Sequence, residues 1–232
     1  MELQLSRPCI ADTSLLLNFV YIGYADLLRT LLGDPVYLSP TVLDERDIDR
    51  VKDRPRSEFR VPPYQRGVVS DARRRAISEH VQRFASGLGT YWRPATPTEQ
   101  ELSLGARFRD RSIRDEVRSK NPDVKRTRIE LDAGEAEAAA IAVTRKWTFL
   151  TEDQASVDLV RALHSDISVV RSCSLLVHAI EVGRIECSEA EVLFNLRMVE
   201  DTGFYNIRMS QDGTRERLRL RCDPPGCELV SA

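Results

Sequence analysis

The sequence predicts an α/β protein: a three-layer α/β/α fold built on a central parallel sheet. Three observations predict it. Short apolar segments suited to strands alternate with helix-period segments from Cys9 to Glu181. Glycines, prolines and capping residues punctuate that alternation. Finally, 232 residues with 42 % hydrophobic side chains can bury a substantial core, while 30 % charged residues keep the surface polar. With only 11 Gly and 11 Pro and no sustained heptad, collagen-like and coiled-coil readings are excluded. The composition is not that of a disordered chain either.

Cys9-Ile10-Ala11 is a short apolar run ending at Asp12, and Thr13 to Phe19 follows as a helix with Leu15, Leu16 and Phe19 on one face. Gly23 breaks it, and Ala25 to Leu32 continues helically up to Gly33-Asp34-Pro35. Val36-Tyr37-Leu38 reads as a second strand. Ser39-Pro40 then places an N-cap and a first-turn proline before a helix carrying Glu45. The charged stretch Arg46 to Arg66 reads as a loop. From Ser70, the residues Ile77, Val81, Phe84, Ala85 and Leu88 recur at helical spacing. Tyr91-Trp92 suits a short strand. Thr96-Pro97-Thr98-Glu99 signals a capped helix start, and that helix is expected to run to Lys120 and stop at Asn121-Pro122. An alanine-rich helix spans Asp132 to about Arg145, and Thr148 to Thr151 is a strand ending before Asp153. A helix through Val157, Val160 and Leu163, a strand from Ile167 to Val170 and a helix from Ser174 to Glu181 complete the alternation. The tail differs: Asn206 to Ser210 and Thr214 to Cys222 alternate around Asp212-Gly213, a β-hairpin signal. Trp92 and Trp147 are expected in the core rather than as base-stacking platforms.

The near-neutral total, 34 Lys plus Arg against 36 Asp plus Glu, conceals an asymmetry. Residues 46 to 128 hold 21 basic and 12 acidic residues, a balance of +9, which leaves −11 for the remainder. A basic segment on an acidic body suits a polyanionic partner, since each neutralised phosphate releases counterions; a solvated Arg-rich surface accounts for the same charges. The five cysteines (Cys9, Cys173, Cys187, Cys222 and Cys227) are an odd, scattered count without a zinc-ligand pattern. The N-terminus does not read as a signal peptide. The apolar run Leu15 to Ile22 is far shorter than the roughly 20 residues of a membrane helix. The expected setting is therefore cytoplasmic, with reduced thiols and no membrane.

Four acids occupy comparable topological places. Asp12 follows the first strand, Glu45 lies in the helix after the second, Glu135 opens the alanine-rich helix and Asp153 follows the Thr148–Thr151 strand. In open parallel α/β sheets, ligands bind beyond the carboxyl ends of the strands. Acids gathered there repel one another unless a hard cation neutralises them, and an oxygen-only set without histidine or thiolate suits Mg²⁺ or Mn²⁺. Taken singly, each acid has a simpler role: Asp12 and Asp153 as helix caps, Asp132 with Glu135 as a capping box, Glu45 as a solvated helix residue.

These segments also resemble a known family. Ile-Ala-Asp12-Thr-Ser-Leu-Leu-Leu-Asn18 resembles the first motif of PIN-domain nucleases, and Ser39-Pro-Thr-Val-Leu-Asp-Glu45 their second. Leu131-Asp-Ala-Gly-Glu135-Ala-Glu137-Ala resembles the third, in the Gly-Glu-x-Glu-Ala form of a prokaryotic branch, and Phe149-Leu-Thr151-Glu-Asp153 the fourth. Val169 to Ile185 is similar to the closing strand and helix of that branch. The resemblance covers roughly residues 8 to 45 and 129 to 186. It departs in having Glu135 in place of the more usual aspartate, with Glu137 as companion, and a longer segment between the second and third motifs.

The resemblance implies a PIN-like nuclease domain over residues 1–186, with 46–130 as a long, basic, largely helical insert, and 187–232 as a helix and β-hairpin extension. It implies a Mg²⁺- or Mn²⁺-dependent endonuclease hydrolysing phosphodiester bonds, RNA more than DNA, of the kind that serves as toxin beside an antitoxin protein. Asp12, Glu45, Glu135 and Asp153 would be the catalytic metal ligands, with Ser14, Asn18, Glu137 and Thr151 in support. Nucleic-acid contacts are expected from Arg73, Arg74 and Arg75, from Arg107, Arg109 and Arg111, and from Arg217, Arg219 and Arg221, which alternate along one face of a tail strand. The tail hairpin offers an edge for homodimer pairing. The alternative is a catalytically silent PIN-like nucleic-acid-binding or scaffold protein.

Overall fold

The computed structural model describes residues 8–33, 35–43, 71–124, 126–199, 207–209 and 215–231. Five short parallel strands make the central sheet: β1 (Cys9–Ala11), β2 (Val36–Leu38), β3 (Trp92–Pro94), β4 (Thr148–Leu150) and β5 (Val169–Val170), in the order β3-β2-β1-β4-β5. The register pairs Ala11 with both Leu38 and Leu150, so β1 is the central strand. Side chains alternate strictly between the two faces. Cys9, Ala11, Val36, Leu38, Leu150 and Val170 enter one buried cluster, and Ile10, Tyr37, Phe149 and Val169 belong to the other.

Each cluster is closed by its own helices. The first is covered by α1 (Thr13–Tyr21), α2 (Ala25–Leu32), α4 (Asp71–Ser86) and α9 (Ser172–Glu181), with the single turn α3 (Pro40–Leu43) following β2. The second is covered by α5 (Glu99–Phe108), α6 (Ile113–Lys120), α7 (Ala133–Arg145) and α8 (Gln154–Leu163). This is the expected α/β class, a parallel sheet with helices on both faces. The helices after β1 and β2 lie on one side and those after β3 and β4 on the other. The strand order therefore reverses between β1 and β4, and their carboxyl ends frame the switch-point crevice where such sheets bind ligands.

Local chemistry explains the elements. Thr98 accepts the Glu101 N–H at 3.3 Å and Glu101 Oε2 accepts the Thr98 N–H at 2.7 Å, a complete capping box for α5. Glu101 is also bound by Arg145 Nε at 2.7 Å and Nη2 at 2.9 Å, which ties α5 to α7. The alanine face of α7 lets the two helices approach so closely that a Cβ on Gly105 would stand 3.4 Å from the Ala136 carbonyl. Gly23 has φ +84°, and a Cβ there would stand 2.8 Å from the His80 ring, so the turn after α1 requires glycine.

Several expectations change. The single helix expected from a Thr96 cap to Lys120 starts two residues later, capped by Thr98, and is two helices, because Asp110 Oδ1 accepts the Ser112 N–H at 2.8 Å and turns the chain between them. The segment read as an insert supplies edge strand β3, whose Trp92 is buried and packs on Phe84 at 4.9 Å. Trp147 is half-buried against Tyr37 at 4.5 Å. The Arg46–Arg66 loop and the Asp212-Gly213 turn lie outside the described residues. Among the described residues no helix is long and apolar enough to cross a membrane.

The tail holds α10 (Cys187–Val192), a π-helical turn at Leu193–Arg197, and an antiparallel sheet of β6 (Ile207–Met209), β7 (Arg215–Cys222) and β8 (Pro225–Ser231). Sequence reading expects only the first two of these strands. Asn195 completes the sheet's attachment: its Nδ2 donates to the Leu220 carbonyl at 2.8 Å and its Oδ1 accepts the Leu220 N–H at 3.0 Å. The expectation of reduced thiols is corrected too. Cys173 is bonded to Cys227 and Cys187 to Cys222, which leaves the buried Cys9 outside any disulfide.

Candidate active site

Asp12 ends β1 and caps α1, fully buried. Its Oδ1 accepts the Leu15 N–H at 3.0 Å and the Ser14 hydroxyl at 2.8 Å, and its Oδ2 accepts the Thr151 hydroxyl. Both hydroxyls are themselves held by the turn after β4: Thr151 Oγ1 accepts the Asp153 N–H at 3.0 Å and Ser14 Oγ accepts the Glu152 N–H at 3.2 Å. The adjacent carboxyl ends of β1 and β4 are thus sewn together through the two oxygens of one carboxylate. Ser14 and Thr151, expected as supporting residues, form this seam.

Asp153 is the N-cap of α8, where its Oδ2 accepts the Ser156 N–H at 2.6 Å. Glu135 lies in the first turn of α7, and its Oε2 accepts the Asp132 N–H at 3.2 Å, the returning half of a capping box. All three acids therefore stand at helix N-termini, where the helix dipole favours negative charge. Burial still pushes the Asp12 carboxyl up to about 7 against the pull of its hydrogen bonds, and the Glu152 charge adds to the rise. Burial likewise drives Glu135 up to about 8, reinforced by the charges of Asp153 and then Asp12. The three acids share one electrostatic corner.

That corner opens into a cavity of about 140 Å³ lined by Glu130, Asp132, Glu135 and Asp153 together with Arg126 and Arg128. Its hard oxygen donors suit Mg²⁺ or Mn²⁺. Among the described residues, however, no group of three or more His, Cys, Asp or Glu could hold an ion as the side chains stand. The described acids are coupled through their charges without forming a closed ligand shell. Glu45, the fourth expected ligand, lies outside the described residues.

Other expected residues are placed elsewhere. Glu137 Oε2 accepts the Thr41 N–H at 3.0 Å, so it ties α7 to α3. Asn18 Nδ2 donates to Ser172 Oγ at 3.3 Å at the start of α9. Arg107 grips Glu116 at 2.5 and 2.6 Å, and Arg109 and Arg111 are exposed; the Arg111 charge is felt by Glu130 at the cavity. Arg73 is half-buried and Arg75 exposed on α4, while the Arg74 side chain lies outside the described set. On β7, Arg217 donates to the Asn195 carbonyl at 2.5 Å, Arg219 stands 3.8 Å from Glu191, and Arg221 stands 3.1 Å from Glu228.

Sequence reading missed the brace behind the site. Glu152 is buried; its Oε1 accepts the Ser172 N–H and its Oε2 stands 3.3 Å from Arg171 Nε. Arg171 Nη2 donates to the Glu152 carbonyl at 3.1 Å and Nη1 to Gln154 Oε1 at 2.8 Å. One signal was available: Arg171 directly follows β5, the place Asp12 holds after β1.

Fold and site together define an open parallel α/β protein with an acidic pocket at its switch point. No family model, curated protein or solved structure matches the chain.

Proposed function

We propose that the chain is a PIN-like, divalent-metal-dependent endonuclease that hydrolyses phosphodiester bonds in RNA. One observation carries this reading: Glu135, which lines a pocket with Asp153, is driven towards its neutral form by burial and then by the charges of Asp153 and Asp12, acids distant from it in sequence. Such a corner gains from a cation. Mg²⁺ or Mn²⁺, when bound there, would lower the pKa of water and offset phosphate charge. Asp12, Glu135, Asp153 and Glu45 are the residues to hold it. Ser14 and Thr151 keep the Asp12 carboxylate from rotating, and the Arg171–Glu152 pair holds the turn that presents Asp153.

A role as the toxin of a toxin–antitoxin pair, with an antitoxin protein as partner, belongs to the same reading. The two disulfides favour a setting more oxidising than an ordinary reducing cytoplasm. The catalytically silent binding module is favoured by a different observation: Glu135 already caps α7 and Glu137 binds Thr41, so neither needs an ion to explain its place.

Cleavage of labelled single-stranded RNA and DNA with Mn²⁺, with EDTA, and with Asp12→Asn protein separates the two. The endonuclease cuts only with the metal, and the substitution lowers the rate by about a hundredfold or more. Equal cutting by the variant defeats the assignment, and binding without cutting under every metal supports the silent module.

A further inference from the structure

We propose that Arg126 and Arg128 form a preorganised phosphate rim that seats the backbone of single-stranded nucleic acid at the mouth of the carboxylate pocket. The inference rests on the endonuclease reading for the use of the pocket, and it assigns substrate contact to residues outside the three arginine clusters that the sequence suggests.

Both side chains line the pocket beside Glu135 and Asp153. Each is seated on an acid belonging to a helix that carries a site carboxylate. Arg128 Nη2 stands 2.5 Å from Asp132 Oδ1 at the cap of α7, three residues before Glu135. Arg126 Nε stands 3.9 Å from Asp158 Oδ2 on α8, one turn beyond Asp153.

The Arg126 seat is the end of a continuous polar chain. Glu152 Oε2 meets Arg171 Nε at 3.3 Å, Arg171 Nη1 donates to Gln154 Oε1 at 2.8 Å, and Gln154 Nε2 donates to Asp158 Oδ1 at 2.7 Å. Arg118 Nη2 fixes the backbone of the same residue by donating to the Arg126 carbonyl at 2.9 Å. Thus the brace that holds the Asp12–Asp153 turn also places a rim cation.

Charge and exposure specify the ligand. Four carboxylates face the pocket, so a polyanion reaches it only where positive charge offsets them at the entrance, and these two guanidiniums supply that charge. Their side chains keep 44 % and 64 % exposure, and each commits one nitrogen to its acid, which leaves further N–H donors for phosphate oxygens. Arg107, by contrast, does not line the pocket.

The test is fluorescence anisotropy of labelled single-stranded RNA, and of DNA of the same sequence, across a salt series in Ca²⁺, with Mn²⁺ cleavage measured in parallel. Arg126→Ala/Arg128→Ala should weaken binding about tenfold and lower the slope of log affinity against log salt by about 1.4, the value for two single-strand phosphates. Arg107→Ala/Arg109→Ala should leave both nearly unchanged. Arg126→Gln/Arg128→Gln, which keeps part of the aliphatic stem and a polar end and removes the charge, should reproduce the alanine result if the alanine pair unfolds. An unchanged affinity and slope, or an equal loss in the Arg107/Arg109 pair, overturns the rim. If wild type binds but never cleaves while the rim variants lose affinity and slope as stated, the rim stands and the endonuclease reading falls. If wild type cleaves and the rim variants bind as it does, the reverse holds. No binding by wild type overturns both.

Discussion

The two ends of the chain are held by opposite means. Around Asp12 the fixing groups are hydroxyls and backbone N–H groups from residues adjoining β1 and β4, and the acid they hold is driven towards its neutral form by burial. In the tail sheet, disulfides clamp β7 to α10 and β8 to α9, while most of the polar contacts of its arginines are exposed. The difference teaches where function can reside. The corner holds Asp12 with neutral donors and no opposite charge, so a cation can still pair with it. The tail is fixed covalently, and its charges are already matched.

The largest effect that sharpens this contrast is reduction. The bridges close loops of sequence separation 54 and 35, and chain-entropy arguments give about 4 kcal/mol for either alone. Because the inner loop lies within the outer one, losing both costs less than twice that. Dithiothreitol should therefore lower the melting temperature by about 20 °C, and below that transition nucleic-acid cleavage should persist. Activity lost on reduction of a still-folded protein would break the separation between the two regions.

Next comes pH. Asp12 and Glu135 rise from 3.8 and 4.5 to about 7 and about 8 on folding, so the folded state binds their protons more tightly than the unfolded chain does. Metal-free stability should accordingly fall as pH rises from about 4 to about 8 and then level off. Thermal melts in EDTA across that range measure it; a stability that rises through the same window contradicts the buried corner.

A smaller loss is expected at the brace. Arg171→Ala leaves the buried Glu152 carboxylate without its guanidinium and should cost about 2 kcal/mol by denaturant unfolding, below the full buried-pair value because Arg171 is partly exposed. Glu152→Gln, which keeps an acceptor for the Ser172 N–H, should cost less than half of that. Smallest of all is Arg221→Ala: its pair with Glu228 is exposed, and the change should stay within about 0.5 kcal/mol.

The corner was legible in sequence and the tail only in part, its first two strands but not β8 or the disulfides, for physical reasons. Asp12, Asp153, Ser39 and the Asp132–Glu135 pair announce themselves because a helix start is a local event, set by residues three positions apart. Strands β1, β2, β4 and β5 are short apolar runs between such signals. By contrast, β8 runs Pro-Gly-Cys-Glu-Leu-Val-Ser, whose opening residues suppress the strand pattern while pairing with β7 sustains it. Glu152 reads as a spacer between Thr151 and Asp153 until Arg171 and Ser172, distant in sequence, close over it. Disulfide partners obey the same rule: Cys173 and Cys227 meet only once α9 and β8 are in place. The break between α5 and α6 escaped because the amphipathic pattern runs through it, and one Asp110 contact decides the turn.

The most direct measurement is a Mn²⁺ titration of the melting temperature at pH 8 for wild type and Asp12→Asn. If the buried acids share a cation, the wild-type transition climbs with Mn²⁺ concentration and the variant's does not. A wild-type transition indifferent to Mn²⁺, or a variant that climbs equally, would contradict the account.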